Sequence, residues 1–147
     1  MQINIVCIGK LKEKYWQEAL AEYVKRLGPF CKLKILESSE DRTIEKETDK
    51  LLRLLPESSY VVLLDVIGTS ISSPELADKL ENLMLSGKSS ITFVIGGAYG
   101  FTDELRQRAD ERISFSRLTF THQMIRVILV EQIYRAFKIM RHEKYHN

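Results

Sequence analysis

The chain has 147 residues, 44% hydrophobic and 29% charged, which suits one domain spanning 1–147 with its own core and excludes a disordered or fibrous chain. A formal net charge of +2 excludes the overwhelming positive field of an indiscriminate nucleic-acid binder, while leaving room for local basic patches. No run approaches the roughly 20 apolar residues that span a bilayer, and residues 1–8 carry no basic leader, so a cytoplasmic protein with no membrane association is expected.

Strand and helix periods alternate along the chain. Gln2–Ile8 is a β-branched run ending at Gly9. Trp16, Leu20, Tyr23, Val24 and Leu27 then recur at helical spacing until Gly28 and Pro29 stop the helix. Residues 32–36 alternate polar and apolar, predicting a strand with one solvated face. Ile44, Leu51, Leu52 and Leu55 mark a second helix ending near Pro56, and the polar stretch 37–49 reads as a solvated loop and helix start without chemistry.

The run YVVLLD at 60–65 is almost wholly apolar, as in a parallel strand covered on both faces. A short connection through Gly68 leads to Ser73, Pro74 and Glu75, which open a helix that Gly87 closes. A second central strand is predicted over 91–95, followed by a helix start at Thr102, Asp103 and Glu104. A short edge-like segment lies between 113–115 and 118–120, and the longest helical pattern runs over 122–141. The order βαβαβαβαβα predicts an α/β fold, a parallel-rich sheet flanked by helices. Cys7 and Cys31 show no metal-like spacing, so two reduced structural thiols and no metal are expected.

The most informative segment is ITFVIGGAYGF at 91–101, where an apolar strand runs directly into Gly96, Gly97 and Gly100. Glycines at the carboxyl end of a strand in an α/β sheet let backbone or ligand approach closely, where small-molecule sites form. Neither GxGxxG nor a P-loop is present, and a tight connection with no ligand remains an alternative for the glycines alone. The last helix carries apolar residues around most of its circumference, from Met124 and Ile125 to Ile139 and Met140, which predicts burial on more than one side and a homodimer.

Together, VLLD at 62–65, FVIGGAYGF at 93–101, SFSRLTFTHQMIRVILVEQIYRAFKIMR at 114–141 and the terminal Tyr145 and His146 resemble the RlmH family of SPOUT methyltransferases, over essentially the whole chain. The resemblance implies an α/β trefoil knot in the C-terminal part, an obligate homodimer and S-adenosylmethionine as methyl donor. It implies methylation of N3 of a pseudouridine in a 23S ribosomal RNA stem-loop, on the large subunit or assembled ribosome. Carried onto this sequence, the family's cofactor pocket falls at Leu64, Gly96, Phe115, Ser116, Arg117, Leu118, Thr119 and Phe120. Gly97 and Gly100 are expected to shape it.

Methylating an imide nitrogen requires its proton to leave, so a base or a cation near the target base is expected. His146, Tyr145 and His122 are the candidates, with Arg126 and Arg135 as charge partners; the 145–146 tail is expected to close over the base, from the subunit opposite the cofactor. His122 reads better as a residue orienting the cofactor loop, and Glu131 as a partner of Arg126 or Arg135. Lys10, Lys12, Lys14, Lys25, Arg26, Lys138, Arg141, His142 and Lys144 could neutralise RNA phosphates, with Tyr15, Trp16 or Tyr145 stacking on a base. Two departures from familiar members stand out: a shorter region between Leu36 and Tyr60, and Thr121 where some carry proline. The competing readings are a non-catalytic dimeric ribosome-binding module and a small flavodoxin-like enzyme.

Overall fold

In a computed structural model, which describes residues 1–145, strands and helices alternate from end to end. The order is β1 Gln2–Ile8, α1 Lys14–Leu27, β2 Lys32–Ser38, α2 Ile44–Leu54 and β3 Tyr60–Ser70, then α3 Ser73–Leu85, β4 Ser90–Ile95, α4 Asp103–Arg108, β5 Glu111–Ser114 and α5 His122–Met140. The five strands form one parallel sheet in the order β2-β1-β4-β3-β5. The two apolar runs predicted to be central are therefore interior neighbours, each flanked by strands on both sides.

Alternation along the strands divides the core in two. Ile3, Ile5 and Cys7 of β1, Val62 of β3, and Ile91 and Phe93 of β4 face α1, α3 and α5. Val6, Ile8, Val61, Leu63 and Val94 face the other way, against Leu51 of α2 and Leu105 of α4. Near the amino end of the sheet, buried polar side chains satisfy one another: Asn4 Nδ2 donates to Thr92 Oγ1 at 3.2 Å, and Ser59 and Thr92 hydroxyls share a 2.6 Å bond.

Local signals set most boundaries. Ser72, one residue before the expected cap, caps α3 in a full capping box with Glu75, and Pro74 sits in the first turn. Thr102 and Thr121 cap α4 and α5 through their hydroxyls. The segment 118–120 is not a strand; the sheet edge beside β3 is formed by β5 alone.

The largest departure from the sequence reading lies after Asp65. The strand does not stop there but continues to Ser70 through an irregularity between Leu64 and Thr69, beyond which Thr69 and Ser70 pair with Ile113 and Ser114. Gly68 permits this crossing, because a Cβ there would lie 2.8 Å from the backbone carbon of Arg112.

Candidate active site

The irregular part of β3 and the carboxyl end of β4 meet the 114–120 segment around a cavity of about 370 Å³. That volume falls within the range of small-molecule pockets, and the lining is mainly apolar with a few polar groups. Leu64 lies on one wall and Gly96 on the next, while Phe115, Ser116, Leu118, Thr119 and Phe120 form the opposite wall. Arg117 is exposed and is not among the lining residues.

Each wall has a local cause. At Gly96 a Cβ would stand 3.0 Å from the Gly100 carbonyl oxygen and 3.0 Å from the Phe101 ring, so a side chain here would push into the turn that shapes the cavity. Gly97 and Gly100 form that turn: the Gly100 N–H donates to the Gly97 carbonyl at 3.1 Å, and Gly100 adopts φ +80°. On the facing segment, Ser114 Oγ donates to the Ser116 carbonyl at 3.0 Å, and Ser116 Oγ accepts from the Leu118 N–H at 2.9 Å. These short-range bonds fold the segment over the cavity without secondary structure of its own.

Two charged residues in the cavity were not foreseen. Asp65, 7% exposed, accepts from Arg106 Nε at 2.9 Å and from the Ile67 N–H at 3.3 Å, and both Asp65 and Arg106 line the wall. Asp65 was visible in the sequence as the end of an apolar strand, but its partner on α4 was not.

Neither described candidate for proton transfer, Tyr145 or His122, lines this cavity. Tyr145 packs against α1 and α5, its hydroxyl donating to Glu131 Oε1 at 3.0 Å and pairing with the Tyr23 hydroxyl at 3.3 Å, with its ring edge-on to Tyr134. Burial first, then these bonds to Tyr23 and Glu131, push its hydroxyl well above the usual tyrosine range, so it stays protonated. Its contacts on α5 begin at Glu131, about 9 Å along the axis from the lining residue Ile125, and it does not line this cavity. His146 lies outside the described residues.

His122, expected to orient the 115–120 segment, makes its contacts at the end of β1 and beyond β2. Its ring packs on Gly9, and Nε2 lies 3.8 Å from Glu40 Oε1. Glu131 pairs with Arg135, whose Nε donates to Oε1 at 3.1 Å, rather than with Arg126. Arg126 is fully buried and occupied by Glu37 and by the Gly9 carbonyl, which leaves it structural. Among the described residues no cluster of His, Cys, Asp or Glu could hold a metal ion.

The stretch 37–49, read as solvated, contributes a buried face. Glu47 is 4% exposed and its Oε1 abuts Gly97, while Thr48 shares a 3.0 Å hydroxyl bond with Thr102. The available signal was position: Glu47 and Thr48 fall on the same helical stripe as Ile44, Leu51 and Leu55.

Comparison with known proteins agrees with the fold and identifies the family. A solved structure described as a probable methylase family protein from Haemophilus influenzae Rd KW20 shares the fold, with a TM-score of 0.55 and 15% identity, covering 99% of this chain and 70% of that one. A curated relative, "Ribosomal RNA large subunit methyltransferase H" of Ruminiclostridium cellulolyticum, is 47% identical over 158 residues, covering 99% of both chains. The family described as "Predicted SPOUT methyltransferase" matches residues 1–146, and this chain belongs to the SPOUT methyltransferases, within the RlmH family.

Proposed function

We propose that this protein is a homodimeric, cytoplasmic, S-adenosylmethionine-dependent enzyme that methylates N3 of a pseudouridine in a 23S ribosomal RNA stem-loop, on the large subunit or assembled ribosome. The observation that carries the reading is the cavity itself, where Leu64 and Gly96 at two strand ends face the segment from Phe115 to Phe120. The relative named for large-subunit ribosomal RNA methylation supports the substrate class.

Bound S-adenosylmethionine supplies a methyl group already activated on a sulfonium. The chain's residues then have to hold, orient and keep dry. In this reading the backbone at Leu64, Gly96 and 115–120 grips the adenosine, Arg117 at the tip of that segment included, and Phe115 and Phe120 exclude water from the reacting centre. The trefoil knot belongs to the same reading: the 114–120 segment covers the ends of β3 and β4 before α5 returns to pack on α1 and α3.

The dimer is supported by apolar surface around the cavity mouth. Ile67 is 69% exposed, Tyr99 60% and Leu118 71%, an arrangement that a second copy would cover. The tail of one subunit then serves the cavity of the other, with Tyr145 as its anchor and His146 accepting the N3 proton. Lys10, Lys12, Lys14, Lys25, Arg26 and the basic residues from Lys138 to Lys144 meet the RNA phosphates. In this reading Tyr15 stacks on a base, supported by its 61% exposure beside Trp16.

The test is methylation of ribosomes from a methyltransferase-deficient strain, with labelled donor and mass mapping of the modified nucleotide. Label at a pseudouridine of the large-subunit RNA is expected. Donor binding without transfer to any ribosomal particle would instead favour the non-catalytic binding module, and absence of donor binding by calorimetry would remove the cofactor assignment.

A further inference from the structure

Helix α2 reaches the glycine turn from behind. Glu47 Oε2 accepts the Asp41 N–H at 3.1 Å, but Oε1 has no hydrogen-bond partner among the described residues. That oxygen sits against Gly97, where a Cβ would stand 2.5 Å from it. The adjoining Thr48 bonds to Thr102, the residue that caps α4. The cavity-lining turn is thus touched at both ends by a helix that does not itself line the cavity.

A buried carboxylate oxygen without a donor is costly, and an apolar side chain would pack at this position at lower cost. The turn it abuts at Gly97 carries peptide N–H groups that could satisfy it. We infer that Glu47 is a positioning residue for the donor pocket, bracing the Gly96-Gly97 turn and offering Oε1 to a backbone N–H of that turn when the pocket fills. The inference rests on the cavity being the donor site. Glu47 acts through the turn and touches no reacting atom. Gly97 is required because any side chain there occupies the place of the carboxylate.

Donor affinity by calorimetry, thermal midpoint and ribosome methylation at saturating donor would be measured for Glu47→Ala, Glu47→Gln, Gly97→Ala and the Glu47→Ala/Gly97→Ala double variant. Glu47→Ala is expected to weaken donor binding about tenfold while leaving kcat within about threefold, and Glu47→Gln, which keeps shape and one acceptor, to recover part of the loss. Gly97→Ala should weaken binding strongly beside Glu47 but much less in the Glu47→Ala background, the non-additivity of two groups sharing one space.

Wild-type protein that binds donor, with Glu47→Gln and Gly97→Ala binding equally well, overturns the inference alone, as do strictly additive losses. If Glu47→Ala fails to fold, Glu47→Gln and Gly97→Ala still decide. Wild-type protein that binds no donor overturns the proposed function, and this inference with it.

Discussion

Arg106 and Asp65 close one wall of the cavity against each other, with Nε of the arginine 2.9 Å from Oδ2 of the carboxylate. The pair ties α4 to the irregular part of β3, because Asp65 also accepts the Ile67 N–H and lies 3.9 Å from Arg112 Nη1. Asp65→Ala leaves Arg106 without its main partner but still partly hydrated, at 26% side-chain exposure, so the cost falls below that of a fully buried pair. A stability loss of about 2 kcal/mol in urea titration is expected, together with weaker donor binding, since the wall and the turn at 65–69 move together. Asp65→Asn retains an acceptor for the Ile67 N–H and should lose less.

Arg126 binds the last helix to the sheet. Its guanidinium donates to the Gly9 carbonyl at 3.0 Å and pairs with Glu37, so the ends of β1 and β2 share one anchor on α5. Arg126→Met fills similar volume but leaves the Gly9 carbonyl without this donor, and Glu37 is exposed enough to hydrate. The expected cost is about 2 kcal/mol, that of the unsatisfied carbonyl, read as a lower urea midpoint with an unchanged slope. Arg126→Lys should recover little, because one ammonium cannot reproduce a forked contact to two acceptors.

Alkaline pH should weaken the fold through its thiols. Burial pushes both the Cys7 and Cys31 thiols up to about 11 from an ordinary 9.0, with Arg126 opposing the shift only partly at Cys7. Between these values the folded chain holds protons that the unfolded chain has released, so stability is full below pH 9 and falls as pH rises toward about 11. The slope approaches about 1.4 kcal/mol per pH unit for the fully buried Cys7, and less for the half-buried Cys31. Urea midpoints measured from pH 7 to 11 check this, and Cys7→Ala should flatten the decline while lowering the plateau.

The parts of the fold legible in the sequence are those fixed by local chemistry. The apolar runs at 60–65 and 91–95 announced interior strands, and the glycines at 96, 97 and 100 announced a turn into a site. What escaped depends on partners distant in the chain. Residues 65–70 look like a polar connection, and become strand only because the backbone of Arg112 nests against Gly68. Glu47 resembles a solvated helix residue until Gly97, fifty positions later, is brought against it. Arg126 looked available to the chemistry because Glu37 and Gly9 are remote in sequence and adjacent in space. Of the positions that the family resemblance assigned to a cofactor, Leu64, Gly96 and 115–120 apart from Arg117 line one cavity, because they are carried by a few contiguous motifs.

The tail offers the sharpest test of the proposed sharing of work between two copies. Tyr145 is held by an edge-on contact with Tyr134 at 4.9 Å, by the Arg135 guanidinium 4.8 Å from its ring centroid, and by its bond to Glu131. Tyr145→Phe keeps the ring contacts and loses the bonds to Glu131 and Tyr23, so a stability cost of about 1 kcal/mol and modest loss of activity are expected. Tyr145→Ala removes the anchor and should nearly abolish methylation while leaving donor binding intact, because Tyr145 does not line its own chain's cavity. Gly96→Val has the complementary defect, since its side chain meets the Gly100 carbonyl and Phe101. If each tail serves the opposite cavity, dissociating and re-mixing equal amounts of these two inactive proteins restores one working site per mixed dimer, about a quarter of wild-type activity for random pairing. If tail and cavity act within one chain, every site in the mixture carries a defect and the mixture stays inactive.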